Sequence, residues 1–220
     1  MEAYLVATAL INNDHQDVQK CSTNIVSQGT PTERAIAIYY WVRDQIRYNP
    51  YVFGADEKHM RADFTIKSGE SWCVPKAILM AALCRANGIP AGVGFADVRN
   101  HLSTQRLRDS MKTDVFYYHG YCTIYLEDQW VKATPAFNAS LCEKFGLKTL
   151  EFNGKEDSLY HPFDLTGQRH MEYIHDHGHF ADVPVDDMYA CFAREYGTMM
   201  NAGPPDTAAW DNDVADEINR

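Results

Sequence analysis

The chain has 220 residues, of which 45% are hydrophobic, and a formal net charge of −10 at pH 7. That is enough apolar material for one substantial core. The acidic balance excludes a phosphate-backbone partner and an anionic membrane surface, since either needs a basic field. The expectation is a single domain over residues 1–200 with a polar, loosely held tail at 201–220, and no nucleic-acid or membrane partner; oligomeric state stays open.

The opening run Met-Glu-Ala-Tyr-Leu-Val-Ala-Thr-Ala-Leu-Ile lacks a preceding basic region and soon turns polar. No stretch approaches the roughly 20 apolar residues of a membrane span, so the sequence reads as cytoplasmic. The six cysteines at 21, 73, 84, 122, 142 and 191 form no C-x-x-C pair and no dense framework. Most are expected to be reduced, buried thiols.

A first helix is predicted at about residues 15–27. The next is sharply signalled, with Thr30 at the N-cap, Pro31 at the first helical position, Glu33 completing a capping box, and Ile38, Val42 and Ile46 at four-residue spacing. From Cys73 the pattern Ala77, Ile78, Leu79, Ala81, Ala82, Leu83, Ala86 is apolar almost all round, and Asn87-Gly88 followed by Pro90 stops it. This is a central helix. Residues 91–99 read as a strand with close packing at its glycines. Residues 114–126 and 129–135 are two more, joined at Glu127-Asp128 into an antiparallel hairpin. Later elements are less periodic: a short helix at Leu141–Phe145 and a better one at Met188–Tyr196. Helices followed by an antiparallel sheet predict an α+β fold.

Cys73 stands at or just inside a helix N-terminus, where a thiol pKa is lowered and free N–H groups suit a developing oxyanion. A base is needed, and the hairpin offers His119, on the strand face shared by Tyr117, Tyr121 and Thr123. A two-residue turn puts Ala136 opposite His119 and Thr134 opposite Tyr121, leaving Thr134 and Asn138 as diagonal neighbours of the imidazole. Taken alone, a free cysteine is more often a buried structural residue, and a strand histidine among tyrosines a satisfied core group.

The combination is more specific. Gly69-x-x-x-Cys73, with a helix ending Leu83-Cys-Arg-Ala-Asn-Gly-Ile-Pro-Ala91, resembles the catalytic region of the transglutaminase-like superfamily. His119 on one strand and Trp130-Val-Lys-Ala-Thr-Pro135 on the next resemble its second motif, and Ile38 to Tyr48 its preceding helix. The resemblance covers residues 30–138. It implies a papain-like or transglutaminase-like core, with a central Cys-bearing helix packed on an antiparallel sheet, and a cysteine-dependent enzyme acting on a small-molecule or peptide amide without a cofactor. Cys73 would form a thioester and His119 would act as general base. Where the family has an acid, this chain has Thr134. Three substitutes are open: Thr134 orients the ring, Asn138 completes a Cys-His-Asn set, or Asp164 folds back onto the site. The fourth possibility is an inactive protein.

Trp72, Tyr48, Tyr51 and the tyrosines from Tyr117 to Tyr125 are candidates to line an acyl-binding cleft, with Trp72, Tyr48, Tyr117 and Tyr121 foremost; ordinary core aromatics are the bland alternative. His170, His175, His177 and His179 match no trusted metal motif, and the expectation is a polar loop near the site, with no metal. Amide hydrolysis is the leading function. Amine capture by the acyl-enzyme, a non-catalytic binding module of the same fold, and a metal-dependent enzyme using the histidine cluster are the alternatives.

Overall fold

In the computed structural model, which describes all residues except 55, 101–102, 161–164, 168–169, 203–205 and 220, local signals set the helix ends. His15 caps α1 (Gln16–Ile25) by accepting from the Asp17 N–H. Thr30 and Glu33 form the reciprocal capping box and Pro31 opens α2 (Pro31–Gln45), which buries Ala35, Ile38, Tyr39 and Val42. The chain then extends into β1 (Arg47–Tyr48). Helix α3 (Ala62–Ser68) stops at Gly69, whose φ of 68° is left-handed. Beyond it, β2 (Glu70–Ser71) pairs in parallel with β1, bringing Tyr48 opposite Ser71.

Strand β2 runs straight into α4 (Cys73–Ala86), where every residue from Cys73 to Arg85 is buried. Burying Ile78, Leu79 and Leu83 contributes roughly 1.5–3 kcal/mol each. Two charged residues accompany them. Arg85 donates to the carbonyls of Ala91, Val6 and Ala181, and Lys76, wholly enclosed, donates to those of Arg43 (3.0 Å) and Ile46. The apolar pattern of this helix hides Lys76, which in place forms a cap on the C-terminal end of α2.

The antiparallel sheet is built from β3 (Ala91–Asn100), β4 (Val115–Leu126), β5 (Gln129–Ala133) and β6 (Met171–Phe180), in the order β5-β4-β3-β6. Helix α5 (Gln105–Met111) links β3 to β4. Glu127 and Asp128 both have positive φ (47° and 65°) and close β4 onto β5 with Leu126 opposite Gln129 and Cys122 opposite Ala133, the register of a two-residue primed turn. Helix α4 lies on β3 and β4. A Cβ on Gly120 would come 2.9 Å from the Val74 Cα, so only glycine lets the start of α4 press this closely on β4. A bulge interrupts β4 between its pairings of Phe116 with Val98 and of His119 with Ala96, where Tyr118 takes φ 53° and donates its N–H to Asp97 (3.0 Å).

Helices α6 (Ala139–Lys144), α7 (Val185–Glu195), α8 (Gly197–Ala202) and α9 (Trp210–Ile218) complete the described chain. The tail expected to be loose is instead docked. Trp210 and Val214 are buried, the Tyr51 hydroxyl donates to Asp213 (2.8 Å), and Arg47 pairs with Asp211 (2.7 Å). Its apolar Trp210, isolated among polar residues, supplies the anchor. Among the described residues no helix is long and apolar enough to cross a membrane. The architecture is the α+β one, with the central helix packed on an antiparallel sheet.

Candidate active site

The functional residues converge where three elements meet: the end of β1, the start of α4 and the middle of β4. Cys73 is the first residue of α4, and the residue before it, Trp72, caps the helix with no side-chain hydrogen bond. The first-turn N–H groups therefore stay open to the site. Cys73 and His119 line one pocket of about 440 Å³, counted out to its mouth, together with Tyr48, Trp72 and Tyr117. The remaining walls are apolar, from Leu107 and Met111 of α5, and from Phe192, Tyr196 and Met199 of α7 and α8 and the residue joining them.

Cys73 is almost wholly enclosed, at 5% exposure. Burial pushes the Cys73 thiol up to about 11, although the N–H groups of Gly120, Val74 and Cys73 itself pull the other way. His119 is 3% exposed; burial, seconded by the nearby His170, pushes its imidazole down to about 4. The helix terminus was expected to lower the thiol's pKa, and desolvation overrides it. Burial therefore favours the uncharged form of both side chains.

Behind His119 lies an aromatic cluster. The Tyr160 ring meets its edge at 5.7 Å, Phe137 packs on Tyr160 at 4.8 Å, and His170 sits 5.8 Å from Tyr160. Tyr160 holds this cluster together by accepting the Phe137 N–H (3.0 Å). The His119 Nε2 is buried and has no hydrogen-bond partner among the described residues, and neither does the Thr134 Oγ1. Thr134 does not hydrogen-bond the imidazole. Strand β5 ends at Ala133, and Thr134 turns its N–H to the Ser158 carbonyl (3.0 Å), off the hairpin ladder.

Asn138 is placed elsewhere than expected. Its Oδ1 accepts the Tyr48 N–H (2.6 Å), and its Nδ2 donates to the carbonyls of Ile46 (3.0 Å) and Arg43. The Cys-His-Asn arrangement is therefore not formed; the side chain is held by the end of α2 instead. Tyr121 is corrected too. Its hydroxyl donates to Asp176 (3.1 Å), its ring lies over Gly94 and under the Lys132 ammonium, and it does not line the pocket. Asp164 lies outside the described residues.

The segment expected as a polar loop is the edge strand β6, preceded by His170 in the buried cluster. His177 pairs with Asp97 at 2.8 Å and stacks on Tyr118 at 4.2 Å, away from the pocket. Among the described residues no group of three or more His, Cys, Asp or Glu is placed to hold a metal ion. Sequence reasoning missed Phe192, Tyr196 and Met199. The apolar stripe over 188–196 was visible, but periodicity marks a buried face without saying which surface it meets.

Residues 19–135 match the family model described as Transglutaminase-like superfamily. No curated protein matches the chain. Among solved structures it is similar to a "Putative Cysteine Protease" from Cytophaga hutchinsonii, 21% identical over 60% of this chain and 40% of that one, with a TM-score of 0.44. It is also similar to a "putative protease" from Parabacteroides distasonis, 12% identical over 53% and 22% of the respective chains, with a TM-score of 0.37. The chain spans less than half the length of either.

Proposed function

The chain belongs to the transglutaminase-like superfamily, and from that premise we propose that it is a cysteine-dependent acyl-transfer enzyme acting on an amide or peptide. The observation that carries this reading is the shared pocket of Cys73 and His119 at the N-terminus of α4. Burial favours the neutral thiol and imidazole, so in this reading His119 accepts the thiol proton as the Sγ–C bond forms, in concert rather than beforehand. The carbonyl electrons move to oxygen and return as the C–N bond breaks, and His119 hands the proton to the departing amine. Water then releases the acid from the Cys73 thioester, or a second amine captures the acyl group. Hydrolysis is the favoured fate.

The His119 Nε2 is enclosed, which leaves Nδ1 as the ring nitrogen for the proton transfer. The six cysteines are all free, in keeping with a reducing compartment such as the cytoplasm. The unpartnered Nε2 is also what a binding module that has lost its chemistry would show, and it sustains that second reading.

One experiment separates the two. Incubated with para-nitrophenyl acetate at neutral pH, the protein should become acetylated at Cys73, as read by mass spectrometry. The label should be absent in Cys73→Ala and form at least about 100-fold more slowly in His119→Ala, the usual scale of a lost general base. Labelling of Cys73 at the same rate without His119, or no labelling, establishes the binding module. Added amines that speed loss of the acetyl group would assign transfer rather than hydrolysis.

A further inference from the structure

Tyr48 is fixed beside the nucleophile by backbone, not by chance packing. Its N–H is held by the Asn138 carboxamide (2.6 Å). Its pairing with Ser71 and the bond from the Asn49 N–H to the Ser71 carbonyl (2.9 Å) lock it to the strand that leads directly into Cys73. Asn138 and Lys76 both donate to the carbonyls of Arg43 and Ile46, so the turn from α2 into β1 is clamped to α4 one helical turn beyond the nucleophile. The ring is wedged edge-on between Phe137 (4.8 Å) and Trp210 (6.1 Å).

So held, the side chain is 5% exposed and lines the pocket with Cys73 and His119. Its hydroxyl makes no hydrogen bond among the described residues. The neighbouring Tyr196 phenol, by contrast, is occupied: its oxygen accepts the Tyr117 N–H and donates to the Val115 carbonyl (3.2 Å). Unlike the His119 Nε2 and the Thr134 Oγ1, the Tyr48 hydroxyl is not fully enclosed, so it opens on the pocket and can meet a bound group there.

We propose that Tyr48 is a catalytic residue whose hydroxyl donates a hydrogen bond to the oxyanion formed when Cys73 attacks the acyl carbon, with Asn138 as its positioning residue. The proposal rests on the acyl-transfer reading of Cys73 and His119. The phenol complements the N–H groups that face the sulfur. Burial and the adjacent Cys73 keep it protonated, with its pKa well above the ordinary tyrosine value, so it acts as a donor and not as a base. No proton leaves Tyr48 during the step; the thiol proton goes to His119 and the carbonyl electron pair to the oxygen that the phenol meets.

The test uses two reagents on the full-length Tyr48→Phe variant, which keeps the wedged ring. Acylation by para-nitrophenyl acetate passes through an oxyanion, whereas alkylation by iodoacetamide displaces iodide without one. Acylation of Cys73 should slow by about 10²–10³-fold, the usual cost of one lost oxyanion donor, while alkylation stays within about threefold of the parent. Equal acylation rates in parent and variant would overturn the role of Tyr48 with the acyl-transfer reading intact. So would a parallel slowing of both reactions, which would mark a residue that only shapes the thiol. Failure of the parent to acylate at Cys73 would instead remove the reading beneath both.

Discussion

Two buried polar groups flank the start of α4, and they are finished differently. At the first, Asn138 and Lys76 meet the carbonyls of Arg43 and Ile46 and the Tyr48 N–H, so that the carboxamide has partners on both its oxygen and its nitrogen. At the second, the His119 Nε2 and the Thr134 hydroxyl are enclosed without partners among the described residues. A completed network rigidifies a fold, and an incomplete one lowers stability unless it does chemistry. The difference separates scaffold from site: the first group fixes where Cys73 and Tyr48 stand, and the second keeps an imidazole neutral and available.

Removing Asn138 should have the largest effect. Asn138→Ala deletes three buried hydrogen bonds of about 1 kcal/mol each and strands the Tyr48 N–H, for a loss of roughly 3–5 kcal/mol in urea denaturation. A loss below about 1 kcal/mol would mean the first group is not the scaffold. The second group predicts a pH effect. His119 titrates at about 4 when folded and near 6.5 when unfolded, so between those values the unfolded chain binds the extra proton. Stability is therefore full above about pH 6.5 and falls by up to roughly 3 kcal/mol as pH drops towards 4. His119→Phe should flatten that part of the curve; an unchanged slope would assign it to other groups. The smallest effect is expected for Thr134→Asp. A carboxylate aimed at the ring should raise the His119 pKa by about one unit, equivalent to about 1.4 kcal/mol, in an NMR titration. An unmoved pKa would show that position 134 does not face the imidazole.

Features whose causes are local could be read directly from the chain. The capping box at Thr30 and Glu33, the stop after Ala86 and the two-residue turn at Glu127 and Asp128 each depend on a few adjacent residues. The correct hairpin register followed from that turn. What it did not reveal is that pairing ceases at Ala133, because the competing partner, Ser158, lies 25 residues along the chain. The diagonal logic that aimed Asn138 at His119 failed for that reason. Tyr117 does join His119 in lining the pocket, but so does Phe116, because the bulge at Tyr118 breaks the alternation in a way no sequence pattern encodes. Lys76 was lost within an apolar run, since its partners are main-chain carbonyls from another helix. Cys73 and His119 stood out as candidates because their residue types carry chemistry; the burial that raises the thiol and lowers the imidazole comes only from tertiary packing.

Gly120 gives the dyad its span. It follows His119 directly, its N–H faces the Cys73 sulfur, and its missing Cβ is what lets Val74 come so near. The separation between Cys73 and His119 is thus a main-chain dimension, set by the contact between a strand and a helix. A side chain that aims the imidazole can be exchanged or lost while that dimension survives, whereas even a methyl group at residue 120 would press on Val74 and push the start of α4 away from β4. A residue with no side chain at all thus sets the spacing of the two that carry chemistry in this proposal.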